Sequence, residues 1–339
     1  TVKGYDQPTR TFIASSSNLD GFKVDLSISQ SDMISKVREE MAYIYSCFRF
    51  PTKTKEHFIQ ILAGLLQLFL SSRIRNKPFI SIIANDQGRG KTLLAKALST
   101  FITGIKPNII AFEKNQQIMK DEIIANLNRS SSDSTNDISF IIDNIDNSFG
   151  NGFLNSMLTA GENIKMRPKY AASIIEVKIP FSFIGTGNNI RYNADLGRRV
   201  FQITLDSSGM GLSSEDYIYE GRAEGNKGKK RALKDDAYLD FLASEHEEAI
   251  KSLIRILAYT NAIKPNYSDE IKGLKRMASF SDFDTVLDTC FIVSKCLGFV
   301  NCDVAKLNEL DMNGQKRDVE ENHLCLLYTS DAADDMQCV

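Results

Sequence analysis

The turn Asn85-Asp86-Gln87-Gly88-Arg89-Gly90-Lys91-Thr92 constrains this chain more than any other stretch. An apolar run, Phe79-Ile80-Ser81-Ile82-Ile83-Ala84, precedes it, and Leu93-Leu94-Ala95-Lys96-Ala97-Leu98 follows with helical character. Strand, glycine-rich turn and helix in that order belong to a sheet of parallel strands covered by helices. Such a turn suits a triphosphate. Glycines let backbone N–H groups curl around phosphate oxygens, the helix start adds partial positive charge, and Lys91 is placed to reach the outer phosphates. Thr92 supplies a hydroxyl for Mg2+. Asn85, Asp86, Gln87, Gly88, Arg89, Gly90, Lys91, Thr92 and Leu93 are therefore the expected nucleotide-binding residues, with ATP and Mg2+ as the ligands. Asn85 stands where the usual pattern has glycine, and Asn tolerates a left-handed backbone better than most residues.

The surrounding pattern agrees with that unit. Strands are expected at 79–84, 108–112, 138–142, 181–185 and 200–205, with helices between them at 91–102, 116–128 and 152–160. Segments this apolar, interleaved with helices, predict an α/β fold: a parallel P-loop NTPase sheet with helices on both faces. A helix from Ser31 and another over 55–72 flank it on the N-terminal side. A long helix from Asp235 to about Ala262 and another over 282–297 form a helical region after it. The stretch 207–233 has no apolar period and reads as a linker. Residues 173–179 read as one arm of a hairpin.

Three further motifs follow the turn in order. Ser139-Phe140-Ile141-Ile142-Asp143 is an apolar strand ending in a carboxylate, the place from which an acid holds Mg2+ beside the phosphates. Asn144 comes next, where many such ATPases have a glutamate base. Asn cannot take a proton, so either Asp146 does that work or Asn144 positions the water. Phe181-Ser182-Phe183-Ile184-Gly185-Thr186-Gly187-Asn188 brings Asn188 to a strand end, within reach of a γ-phosphate or of the attacking water. Asp195-Leu196-Gly197-Arg198-Arg199 places two arginines before a strand. Alone they read as a surface pair beside Asp195. After the other three motifs they suit a finger donated to a neighbouring subunit. Lys91, Asp143, Asn144, Asn188, Arg198 and Arg199 are the expected catalytic residues, and Thr92 and Asp143 the metal-holding pair.

This ordered set resembles the AAA+-type ATPases carried by phages and other mobile elements, relatives of replicative helicases that often lie downstream of a primase domain. In that family Asp-Asn is common in the second motif, which makes Asn144 less anomalous. Leu158-Thr159-Ala160-Gly161 with Arg167, and Ala278-Ser279-Phe280-Ser281-Asp282-Phe283 leading to Leu297-Gly298-Phe299, resemble further family segments, with Phe283 where Trp is more usual. The resemblance covers about residues 77–300. It implies an AAA+-like ATPase core over 77–206, after an N-terminal segment with helices (1–76), then a linker (207–233) and a C-terminal helical domain (234–324). It also implies a ring-forming homo-oligomer that acts on DNA, with a primase domain or protein as partner. In ring helicases the insertion between the second and third motifs grips the DNA backbone. Here that segment carries Lys165, Arg167, Lys169, Tyr170 and Lys178, cations that neutralise phosphate and an aromatic ring for a base.

Composition sets the remaining bounds. With 339 residues and 42% hydrophobic content the chain can bury a large core. The net charge of −2 does not announce nucleic acid. Cys290, Cys296 and Cys302 are spaced too loosely for paired zinc ligands, so the cysteines are expected to be reduced, as in a cytosolic protein of a bacterium or phage-infected host cell. The apolar stretch 58–70 is too short to span a bilayer, which takes about 20 residues, so no membrane partner is expected. Residues 325–339, beginning Cys325-Leu326-Leu327-Tyr328-Thr329-Ser330, reverse-translate without a forced codon into the transposon-end adaptor of sequencing libraries. They are expected to be foreign to the gene. Leaving out Asp331, Asp334 and Asp335 turns the net charge to +1. Two functions fit: a DNA helicase, or a nucleotide-switched loader that binds a replication partner without unwinding DNA. A P-loop protein that hydrolyses poorly is a third reading.

Overall fold

Short apolar runs form five strands in one parallel sheet. They are β3 (Phe79–Ala84), β4 (Ile109–Ala111), β5 (Ser139–Phe149), β8 (Ser182–Tyr192) and β9 (Val200–Leu205), in the spatial order β4-β5-β8-β3-β9. The computed structural model describes residues 5–6, 11–12, 19, 21–48, 55–71, 74, 77–84, 88, 90–132, 139–150, 152–160, 163–167, 174–178, 182–197, 199–205, 219–227, 230–231, 233–274 and 283–299. The two-residue strands β1 (Tyr5–Asp6) and β2 (Thr11–Phe12) pair near the N-terminus. The strands β6 (Asn163–Met166) and β7 (Ile175–Lys178) form the expected antiparallel hairpin.

Each sheet face has its own core. Ile80, Ile82, Ile141, Ile184, Phe201 and Ile203 face a helical layer that includes α1 (Gln30–Ser46), α2 (Lys55–Phe69) and α3 (Lys91–Thr103). Phe79, Ile142, Ile145, Phe183 and Val200 face α4 (Gln116–Ser132) and α5 (Gly152–Thr159), and the short α6 (Ala194–Gly197) adds Leu196. Burial on both faces is why these strands are apolar throughout. Full burial of Leu62, Leu65, Leu66 and Leu68 fixes α2, at about 1.5–3 kcal/mol for each such side chain.

The helices beyond the sheet pack with the N-terminal pair. After the short pair β10 (Tyr219–Glu220) and β11 (Lys230–Arg231) come α7 (Asp235–Ser244), α8 (His246–Ile263), α9 (Ser268–Lys272) and α10 (Asp284–Cys296). α1 lies against α8 and α10, and α2 against α10, within one apolar cluster. α10 stops because Gly298 adopts φ 72°. Its N–H bonds to the Lys295 carbonyl, and the Phe299 N–H bonds to that of Ser294. That is the 5→2 and 6→1 pair of a Schellman cap, and Phe299 packs against Phe58. Leu297-Gly298-Phe299 is thus a helix stop in physical terms.

Two expectations change. The single long helix predicted from Asp235 is two helices, broken at Glu245. The stretch expected as linker includes an anchored segment, 219–227. Tyr219 is buried against Tyr238, with ring centroids 5.0 Å apart. Glu245 is fully buried and accepts from the Arg222 N–H (2.6 Å), the Ala223 N–H (3.1 Å), Asn226 Nδ2 (2.7 Å) and the Tyr43 hydroxyl (2.8 Å). No local pattern in Glu245-His246-Glu247-Glu248 shows that its first carboxylate gathers a distant loop.

Candidate functional site

The turn after β3 ends at Gly90, which caps α3 in the left-handed conformation (φ 76°), and Gly88 is also left-handed (φ 74°). Both positions therefore favour glycine. The start of α3 has no capping side chain and no acidic residue in its first turn. By contrast, at α1 Ser29 accepts from the Asp32 N–H (3.2 Å), and Asp32 adds a charge. An uncapped N-terminus keeps N–H groups and partial positive charge for an anion. Lys91, Thr92 and Leu93 are half-buried on this first turn. Asn85, Asp86, Gln87 and Arg89 lie outside the described residues.

Asp143 sits beside that turn. The Thr92 hydroxyl donates to Asp143 Oδ1 (2.7 Å), and the Thr186 hydroxyl donates to the same oxygen. Oδ2 accepts no hydrogen bond among the described residues. Thr186 is a functional residue that the motif pattern alone does not single out. Its place between Gly185 and Gly187 was the available signal, because those glycines let the strands close around it. A Cβ at Gly185 would strike the Phe79 ring and Ile145 Cδ1, and one at Gly187 would strike the Ile145 carbonyl.

The β5–β8 ladder slips at the same point. Ile142 pairs with Gly185 and Ile145 with Gly187, so three residues of β5 span two of β8. Asn144 carries the bulge. It is exposed and has φ 59°, the left-handed value that Asn tolerates and β-branched residues do not. Beyond it, Asp146 pairs with Asn188 and makes a salt bridge to Lys114 (2.7 Å). The hydrogen bond and charge of Asp146 raise Lys114 above the ordinary lysine range. The buried side-chain oxygen of Asn188 has no hydrogen-bond partner among the described residues.

The structure brings Lys91, Thr92, Asp143, Asn144 and Asn188 to the C-terminal edge of the sheet. It does not bring Arg199 there. The Phe79 N–H bonds to the Arg199 carbonyl (2.8 Å), and Val200 pairs with Phe79, so Arg199 lies at the opposite end of β3. Six strand residues, about 20 Å, separate it from its own glycine turn. Arg198 is outside the described residues. On the hairpin, Lys165 and Arg167 are exposed, with Glu176 opposite Lys165. Lys169 and Tyr170 are outside the described residues, and Lys178 is described only as a backbone partner of Asn163.

The residues suit Mg2+ with a nucleotide. The donors at hand are hard oxygens, one carboxylate and one hydroxyl, and Mg2+ takes few protein ligands when phosphates supply the rest. Among the described residues no cluster of three or more His, Cys, Asp or Glu forms a site of its own. Cys47, Cys290 and Cys296 are buried and form no disulfide among the described residues; Cys302, Cys325 and Cys338 lie outside the described residues. No helix of the described residues is long and apolar enough to cross a membrane.

No protein-family profile matches the chain, and no curated protein matches it. Among solved structures it is similar to the JCV helicase, with 11% identity, a TM-score of 0.35, and coverage of 85% of this chain and 74% of that one. It is also similar to the NrS-1 C-terminal region in its apo A form, with 12% identity, a TM-score of 0.31, and coverage of 82% and 70%. A further structure of that region, spanning 305–718, gives 13%, 0.32, and coverage of 86% and 70%.

Proposed function

We propose that this chain is an ATP-hydrolysing motor acting on DNA, an AAA+-type replicative helicase of a phage or other mobile element. The observation that carries the reading is the convergence of Thr92 and Thr186 on one oxygen of Asp143, beside an uncapped, glycine-led helix start. Lys91 would contact the outer phosphates, and the N–H groups of the glycine turn would cradle them. Thr92 and Oδ2 of Asp143 would hold Mg2+, which neutralises charge on the phosphates when bound. The unpartnered side-chain oxygen of Asn188 would accept from the attacking water, or its amide NH2 would donate to the γ-phosphate.

The position of Arg199 supports a shared site. An arginine at the far end of β3 cannot serve its own turn, so it, or Arg198, would act on a neighbouring copy in a ring. Lys165, Arg167, Lys169 and Lys178 on the hairpin would contact DNA phosphates in the channel of that ring. A primase domain or protein is the fitting partner, and the cytoplasm of a bacterium or an infected host cell the fitting place.

The loader reading is favoured by one detail: Glu176 opposite Lys165 offsets part of the hairpin's charge. A strand-displacement assay with parallel measurement of ATP turnover separates the two. The helicase reading expects DNA-stimulated turnover and duplex unwinding, both lost in Lys91→Ala. Turnover indifferent to DNA, without unwinding, would favour the loader. Mixing Arg199→Ala, or Arg198→Ala, with Asp143→Asn should restore some activity, and no restoration at any ratio would contradict the shared site.

A further inference from the structure

The bulge at Asn144 changes which side chains β5 presents at the sheet edge. In a regular strand, residues three apart face opposite sides. Asp146 would then project away from Asp143, into the layer of α4 and α5. The observed core shows the slip: Ile142 and Ile145, also three apart, pack in the same cluster on the α4–α5 face. The extra residue has inverted the alternation, so Asp146 returns to the side that Asp143 occupies. The pairing agrees. Asp146 stands opposite Asn188, which lies two residues beyond Thr186 and so on the same face as the Thr186 hydroxyl that donates to Asp143.

Asp143 and Asp146 thus share this edge in unlike settings. Asp143 is half-buried and takes two hydroxyl donors on one oxygen. Asp146 has a side chain 48% exposed and bonds to a lysine that is 70% exposed. An exposed ion pair opens readily. Asn144, between them, has no proton-accepting group.

We propose that Asp146 is the general base of hydrolysis, with Asn188 beside it to orient the water and Lys114 as the residue that positions its carboxylate. The inference rests on the reading of the site as an ATPase centre. In the step, a water oxygen bonds to the γ-phosphorus as its bond to the β–γ bridging oxygen breaks. The water proton passes to an oxygen of Asp146 and ADP leaves with the bridging oxygen. Phosphate departs and Asp146 returns the proton to solvent. In this account Asn144 contributes its backbone: it is the residue that can be left-handed, and its side chain does no chemistry.

The test uses the whole chain with Mg2+, ATP and single-stranded DNA, and a fluorescent ATP analogue to follow binding. Asp146→Asn should lower turnover by about 10²–10⁴-fold, the usual range for a general base, while binding stays within about threefold. Asp146→Glu should recover part of the loss. In Asp146→Ala, added formate should restore turnover as its concentration rises, which a merely structural role would not produce. Turnover of Asp146→Asn within threefold of the wild type, with Asp143→Asn inactive, would overturn Asp146 as base and leave the ATPase reading standing. So would a large loss in Asn144→Gly with little in Asp146→Asn, which would give the water to the Asn144 side chain. No hydrolysis by the wild-type chain, with no binding of the analogue, would instead overturn the ATPase reading and this inference with it.

Discussion

Two acidic residues, Asp143 and Glu245, are held in opposite ways. Glu245 lies between α7 and α8 with no exposed surface, and backbone and side-chain donors from α1 and the 219–227 segment fill both of its oxygens. Asp143 takes two donors on a single oxygen and, among the described residues, none on the other, beside a helix start. A carboxylate whose lone pairs are all used can hold structure together but has nothing to offer a ligand. One left half-satisfied at a strand end is costly unless something arrives to complete it. The same contrast separates two cationic places. Arg222 and Arg255 border a cavity of about 620 Å³ between α1, α8 and the 221–227 segment, yet both are tied to the buried Glu40. The two arginines that border that cavity are already matched by a buried carboxylate.

The comparison breaks most sharply at Asp143. Asp143→Asn should reduce ATP turnover by about 10³-fold, roughly 4 kcal/mol of transition-state stabilisation, with the melting temperature nearly unchanged. Coupled-assay kinetics and a thermal melt check both halves. Glu245→Ala should do the reverse. It strands at least four donors in a buried space, and about 3–5 kcal/mol of stability should be lost in a denaturant titration. Turnover per folded molecule should stay near the wild-type value.

Gly187→Ala tests how closely the site depends on strand approach. A Cβ there meets the Ile145 carbonyl, so the bulge must shift, at about 1–3 kcal/mol. Thr186 and Asn188 would be displaced with it, and turnover should fall more than stability does.

The smallest effect is expected at His246. Its ring packs against Gly104, the left-handed cap at the far end of α3, and burial lowers its pKa from the ordinary histidine value. The unfolded chain then binds the proton more readily, so stability is present above about pH 6.5 and declines as pH falls below it. A melting series from pH 7.5 to 5 should show that decline, reduced in His246→Gln.

The same two carboxylates show what was legible in the sequence. Asp143 could be read because its neighbours are local: an apolar run before it, and a glycine turn and a Gly-Thr-Gly-Asn segment at ordered spacing. The strands at 79–84 and 200–205 were read to the residue because apolar runs bounded by turn residues define short buried strands. The lengths of β5 and β8 were missed. Their second halves, Asp143-Asn144-Ile145-Asp146 and Gly187-Asn188-Asn189, are rich in Asp, Asn and Gly, turn-forming residue types that the sheet edge uses around a bulge. Glu245 was not legible, because its partners Tyr43, Arg222, Ala223 and Asn226 are distant in sequence and carry no shared motif. Arg199 was recognised by type, but only the pairing of β3 with β9 shows which end of the sheet it occupies.

The most direct test of the contrast is the melting temperature with a non-hydrolysable ATP analogue, with and without Mg2+, for wild type and Asp143→Asn. At 100 times the dissociation constant a ligand adds about 2.7 kcal/mol to stability. The wild type should therefore gain several degrees, more with Mg2+ than without. Asp143→Asn should gain the same modest amount in both conditions. An equal Mg2+-dependent gain in Asp143→Asn would contradict the claim that Oδ2 of Asp143 holds the metal.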